Sequence, residues 1–208
     1  MESRKASNNK LKHMQYSENY SVAITGGKEL GEGYVALAHE QEYAIQITNK
    51  TKGHSSIRIW IDGVDVCGGR GLIQSPESTD ELERPFNQYR KFTFLKTNSW
   101  EAENTGIHEI KSADRGLIKV SIRPAQEEKT LHVSLDTSVY RGSTRGMESG
   151  GTALGNTSNQ EIPTTNRRFT YEDNKEEVFY LRLVHDPQLT KSKKYTSLKS
   201  PNIPPPIN

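Results

Sequence analysis

The chain has 208 residues but only one cysteine, two tryptophans and no long apolar run, and each shortage removes a class of protein. With Cys67 alone, no disulfide can close within the chain, and a cysteine-based metal site lacks ligands. Synthesis in a reducing compartment is the expectation. No segment approaches the ~18 apolar residues of a membrane span. Residues 1–14 are polar and hold no apolar stretch of signal-peptide length, so entry into the secretory route is not expected. The N-x-S/T triplets at Asn19, Asn49 and Asn156 then count as chance in a chain rich in Asn, Ser and Thr.

Motifs of chemistry are equally scarce. There is no GxSxG elbow, and Cys67 sits in a Gly-rich turn with no identifiable His partner. The six histidines (His13, His39, His54, His108, His132 and His185) match no metal-ligand spacing. On a strand, the adjacent pairs His39-Glu40 and His108-Glu109 would point to opposite faces. Glu127-Glu128 and Glu176-Glu177 lie in hydrophilic turns, where solvated charge is the ordinary state. Gly68-Gly69-Arg70-Gly71 lacks both the Lys-Ser/Thr of a phosphate loop and the GxGxxG spacing, and reads as a turn or bulge. No catalytic, cofactor-binding or metal residue is assigned, and the chain is not expected to be an enzyme.

What is present is short-period alternation. Leu, Ile, Val and Phe number 42, of which 28 fall within residues 20–135, so one core is expected there. Period-two runs bury one face of a pleated strand. They occur at Tyr20–Ile24, Tyr43–Thr48, Ile57–Ile61, Tyr89–Leu95, Ile118–Ile122, Leu131–Leu135 and Phe179–Val184, and further strands are read at Tyr34–Leu37 and Arg167–Tyr171. Tyr34–Leu37 and Tyr43–Thr48 are expected to pair through a short connection. Asp62-Gly63 predicts a tight hairpin turn into Val64–Val66. Glu83-Arg84-Pro85 reads as an edge element, Arg123-Pro124 as a strand end, and Trp100–Asn104 as a short helical piece.

These runs predict an all-β, antiparallel two-sheet sandwich of single jelly-roll type spanning residues 20–185. Residues 136–166 are rich in Gly, Ser and Thr and read as a long flexible excursion. Residues 1–19 form an N-terminal tail, with net charge +2 over residues 1–18. Residues 186–208 form a basic, Pro-rich C-terminal tail of net charge +3, suited to lying along a neighbour. Without aromatic and Arg clustering, nucleic acid is not the expected partner. Trp60 lies on the nominally outward face of its strand. Together with Tyr34 and Tyr180 it motivates an alternative, a soluble carbohydrate-binding or host-interaction module.

One ordered set of motifs adds a family resemblance. Gly33-Tyr34-Val35 is followed by Glu42-Tyr43-Ala44-Ile45-Gln46-Ile47-Thr48-Asn49 and Ile59-Trp60-Ile61-Asp62-Gly63, then by Glu83-Arg84-Pro85 and Arg90-Lys91-Phe92-Thr93-Phe94. In this order, over residues 33–123, the chain resembles small β-sandwich proteins of large icosahedral DNA viruses, including single jelly-roll penton proteins of the capsid vertices. The run Cys67–Gly71 departs from that pattern by its glycines. The resemblance implies a structural subunit made in the host cytoplasm and placed at a virion vertex. Five copies would close a ring there and contact neighbouring major and minor capsid proteins, without catalysis or cofactor.

Overall fold

The computed structural model describes residues 15–128, 150–165 and 167–185. The expected tail segments 1–14 and 186–208, and the expected strand Leu131–Leu135, lie outside these residues. In chain order the strands begin with β1 (Gln15–Tyr16), β2 (Tyr20–Thr25), β3 (Lys28–Gly31), β4 (Tyr34–Leu37) and β5 (Gln41–Glu42). They continue with β6 (Ala44–Asn49), β7 (His54–Ile61), β8 (Val64–Asp65), β9 (Leu72–Gln74) and β10 (Thr79–Leu82). The last are β11 (Arg90–Leu95), β12 (Leu117–Glu127), β13 (Gly151–Thr157), β14 (Phe169–Tyr171) and β15 (Glu177–His185). One short helix, α1 (Trp100–Asn104), forms where the sequence predicts it, and Ser99 caps it by accepting from the Ala102 N–H.

Three sheets make a sandwich-like arrangement. One has the order β1-β2-β6-β10, a second β13-β11-β5, and the third β3-β4-β15-β12-β7-β8, with β14 on β12 and β9 on β7. Inward side chains of all three meet in one core that includes Tyr43, Ile45, Ile47, Ile57, Ile59, Ile61, Phe92 and Phe94. These are the residues that the alternation assigns to the buried face. A smaller cluster, Tyr34, Ala36 and Val184, lies on the opposite face of the β4–β15 pair. The Asp62-Gly63 hairpin forms as expected, with φ of 53° at Asp62 and 84° at Gly63, both left-handed as a two-residue turn of this hand requires.

Five expectations need correction. First, β4 and β6 do not pair. β4 lies between β3 and β15, whereas β6 lies between β2 and β10. Glu40 turns the chain with φ of 60°, and β5 docks on β11, which carries the chain from one sheet to another. Alternation specifies which face is buried and leaves the partner open. Second, the sandwich is not wholly antiparallel, because β15 pairs β4 in parallel. Third, β12 runs through Pro124 to Glu127, and the Pro124 carbonyl accepts from Glu172 N at 3.1 Å. Fourth, Gln15–Tyr16, placed in the tail by the sequence, adds to β2 as an edge strand. The unpaired edge on the opposite side of that sheet is β10, just before Glu83-Arg84-Pro85, which is not itself a strand.

The fifth correction concerns the Gly-rich excursion. Gly151–Thr157 within it is a strand, paired in register with β11 from Leu95↔Gly151 to Arg90↔Thr157 around one irregularity. Its glycines allow close approach: a Cβ on Gly155 would stand 2.0 Å from Thr93 Oγ1. At this strand, glycine is a packing requirement.

Candidate functional site

Three places concentrate polar chemistry, and the first is buried around Asp62. Its side chain is 4% exposed and accepts from Gly116 N (Oδ1, 2.7 Å) and Thr152 N (Oδ2, 2.7 Å). It thereby ties the β7–β8 turn to the starts of β12 and β13. The Tyr43 hydroxyl bonds Thr152 Oγ1. Arg182, 2% exposed, donates to Arg115 O (2.5 Å) and Ala113 O (2.8 Å), which pins the loop before β12. Burial pushes the Asp62 carboxyl up to about 7, against the pull of the two backbone donors and of Arg182. Burial also lifts the Tyr43 phenol well above its ordinary 10.0. Both carboxylate oxygens are committed and buried, so the arrangement can staple loops but offers no group to an outside substrate.

Arg84 forms a second buried staple, 4% exposed. Its Nε and Nη2 donate to Gln160 O at 3.0 and 2.8 Å, and its Nη1 to Pro85 O and Gln88 O at 3.0 and 2.9 Å. The exposed Tyr89 ring lies 4.8 Å from the guanidinium carbon. A planar fork with five donors suits several backbone carbonyls at once.

The third place is at the surface. A cleft of about 370 Å³ opens where α1 and β13 flank β11; it is lined by Glu40, Glu42, Thr93, Glu101 and Gly155 among others. Among the described residues, no Lys, Arg or His lines it. The Thr93 hydroxyl is buried there without a hydrogen-bond partner among the described residues. A hydrogen bond from its own backbone N–H is the first of the contacts that hold the Glu101 carboxyl below its ordinary range. A larger cleft of about 520 Å³ opens at one end of the sandwich between Tyr20, His54, Pro124 and Glu177. Its polar walls are largely self-paired, with Asn19 Nδ2 on Glu177 at 2.8 Å and Lys175 Nζ on Glu172 at 2.6 Å.

His39-Glu40 lies in a turn, so the opposite faces of a strand do not separate the pair. His39, Glu40 and Glu101 each bring one ligand atom to within 4.8 Å of the others. The ring bonding favours a hydrogen bond there over a metal. Lys96 N donates to His39 Nδ1 at 3.4 Å, which puts the neutral ring's proton on Nε2, 3.2 Å from Glu101 Oε2. Cys67 is buried, and burial pushes its thiol up to about 12. Gly68, Gly69 and Gly71 form the expected turn with positive φ. Glu127 pairs Arg167 at 3.2 Å, and Glu176 accepts from the Ser121 hydroxyl. His54 is tilted against Phe169, His108 is exposed in a 3-10 turn, and His185 ends β15. His13 and His132 lie outside the described residues.

Of the rings considered for sugar stacking, Trp60 already has Arg58 and Lys119 over it at 5.0 and 4.7 Å, and Tyr34 is buried. Tyr180 is half-buried. Asn49 is fully buried, with its amide donating to Gly53 O and Ser75 O, whereas Asn19 and Asn156 are exposed. The sequence shows the Asp-Gly turn and the Glu-Arg-Pro triplet but not the roles of Asp62, Arg84 and Arg182, whose partners are distant in the chain. Comparison with protein-family models, curated proteins and solved structures finds no match to this chain.

Proposed function

We propose that the chain is a structural subunit of a larger protein assembly. More particularly, we assign it as a single jelly-roll penton protein that forms homopentamers at the fivefold vertices of a large icosahedral DNA virus. Segments flanking the sandwich contact neighbouring capsid proteins. One observation carries this reading: the motifs whose order resembles that family coincide with the joints of the fold. Asp62 staples three segments, Arg84 staples the chain after β13 to residues 85–88, and the Asn49 amide holds Gly53 and Ser75. Motifs spent on rigid loops suit a part that others dock against, and ring closure by five copies needs two different patches on each subunit. The parallel β4–β15 pair is a departure from an all-antiparallel roll.

Mass measurement on purified and particle-derived protein tests the assignment. The expected species has about five times the 23.5 kDa chain mass and is recovered from virions. A strictly monomeric protein absent from particles rejects it.

A further inference from the structure

The 370 Å³ cleft is acidic, and the chain's most basic segment starts beside it. Glu40, Glu42 and Glu101 line the cleft without a lining cation. Glu42 meets Lys91 at 3.7 Å and Glu101 meets His39, while no ion pair to Glu40 exists among the described residues. Thr93, 7% exposed, adds a hydroxyl with no partner to the same cleft. A cleft of this chemistry is suited to ammonium groups.

The strand pairing brings the source of such groups close. β15 runs parallel to β4 with His185 opposite Leu37. β15 therefore ends beside residues 38–40, the turn that carries Glu40. The segment that follows, 186–208, holds Lys191, Lys193, Lys194 and Lys199 against Asp186 alone. Nine residues from His185 to Lys194 reach up to about 30 Å when extended, ample for a cleft that starts at Glu40. We propose that this cleft receives the Lys191–Lys194 stretch of the same chain, with its ammonium groups on Glu40, Glu42 and Glu101. Tethering supplies an effective concentration on the order of mM, so individually weak ion pairs suffice. A second copy would have to overcome the entropy of association as well. This inference goes beyond the capsid assignment and holds for the free subunit.

Zero-length carbodiimide crosslinking of the full chain, followed by peptide mapping, tests it. The expected products are amide bonds from Lys191, Lys193 or Lys194 to Glu40, Glu42 or Glu101, found in the monomer band and independent of protein dilution. Their yield should fall about fivefold in ~1 M NaCl, where the screening length is about 3 Å. The variant E40Q/E42Q/E101Q loses these links. The paired exchange E40K/K193E restores a link of reversed polarity while each single exchange does not, and unchanged circular dichroism controls for folding. Links confined to a covalent dimer and rising with concentration would assign the cleft to a second copy and overturn the proposal. Lys191, Lys193 and Lys194 linking only elsewhere would overturn it too.

Discussion

The sharpest quantitative consequence concerns the charge on Asp62. Burial raises this carboxyl from 3.8 to about 7, with Asp114 adding to the rise and Arg182 and the N–H groups of Gly116 and Thr152 opposing it. The Tyr43 phenol, held neutral by burial, faces the same group through Thr152. Between pH 4 and 7 the folded chain then keeps a proton that the unfolded chain has released. Because the native state binds more protons there, unfolding free energy falls as pH rises through this window and levels off above about 7. At ~1.36 kcal/mol per pH unit, the contribution is about 4 kcal/mol. Asp62→Asn carries no titrating group at this position. Relative to the protonated carboxyl it loses about 1–3 kcal/mol, an amount that does not vary with pH, because the amide nitrogen faces one of the two N–H donors. Urea unfolding of both proteins from pH 4 to 8 measures the difference between them. That difference, native minus variant, should shrink by about 4 kcal/mol from pH 4 to 7 and then stay constant. Other carboxylates cancel in the subtraction. A flat difference, or one that grows with pH, would refute the reasoning.

Four further outcomes are expected. Gly155→Ala places a methyl 2.0 Å from Thr93 Oγ1 and should cost about 1–3 kcal/mol by thermal or urea unfolding; adding Thr93→Ala should recover most of that loss. Thr93→Ala alone removes a buried hydroxyl that has no partner, so its cost should be near zero or slightly favourable, on the order of 1 kcal/mol at most. Arg84→Lys keeps the charge but loses the fork that spans Gln160, Pro85 and Gln88. It should destabilise by about 2–4 kcal/mol and speed hydrogen exchange in residues 158–162, and wild-type stability in this variant would reject the staple. Cys67, buried and with its thiol pushed up to about 12, should resist iodoacetamide at pH 8 in the folded protein and react fully in urea; rapid native labelling would contradict the packing.

The core-facing runs were readable in advance because alternation reports which side of a pleat is buried. Ile57, Ile59 and Ile61 on β7 and Phe92 and Phe94 on β11 all point inward as the pattern requires. The hairpin at Asp62-Gly63 was readable for a local reason, since both residues adopt positive φ. Partner choice was not, because neither the continuous apolar run of β4 nor the alternation of β6 reports which distant strand each one meets. The candidate site fared worse. Asp62 acts on amides 54 and 90 positions away, Arg84 acts on a carbonyl 76 positions away, and the acidic cleft draws on four separate segments. No local period or short motif encodes such convergence. The parallel placement of β15 beside β4 depends on residues 177–185 inserting between β4 and β12, which sequence spacing does not report.

The strand β13 shows how these distant staples complete the fold. Its sequence, Gly-Thr-Ala-Leu-Gly-Asn-Thr, offers little apolar surface, with Ala153 packing on the small Leu95, Ala102 and Ile107 cluster. Burial alone gives such a segment weak reason to order. It is instead fixed at both ends. At its start, Thr152 N is held by the buried Asp62 carboxylate. Beyond its end, the Ser158 hydroxyl donates to Glu83 at 2.6 Å, Gln160 bonds Glu81 O and Glu83 N, and Arg84 grips Gln160 O. Asp62 and Arg84 thus act at opposite ends of the β11–β13 pair, and each lies inside the motif-bearing stretch of residues 33–95. The close Gly155–Thr93 contact then sets the separation of the two strands between the staples. A strand ordered by buried hydrogen bonds at its ends needs few apolar residues of its own, which is why its glycines and threonines read as a loop when the ends are not in view.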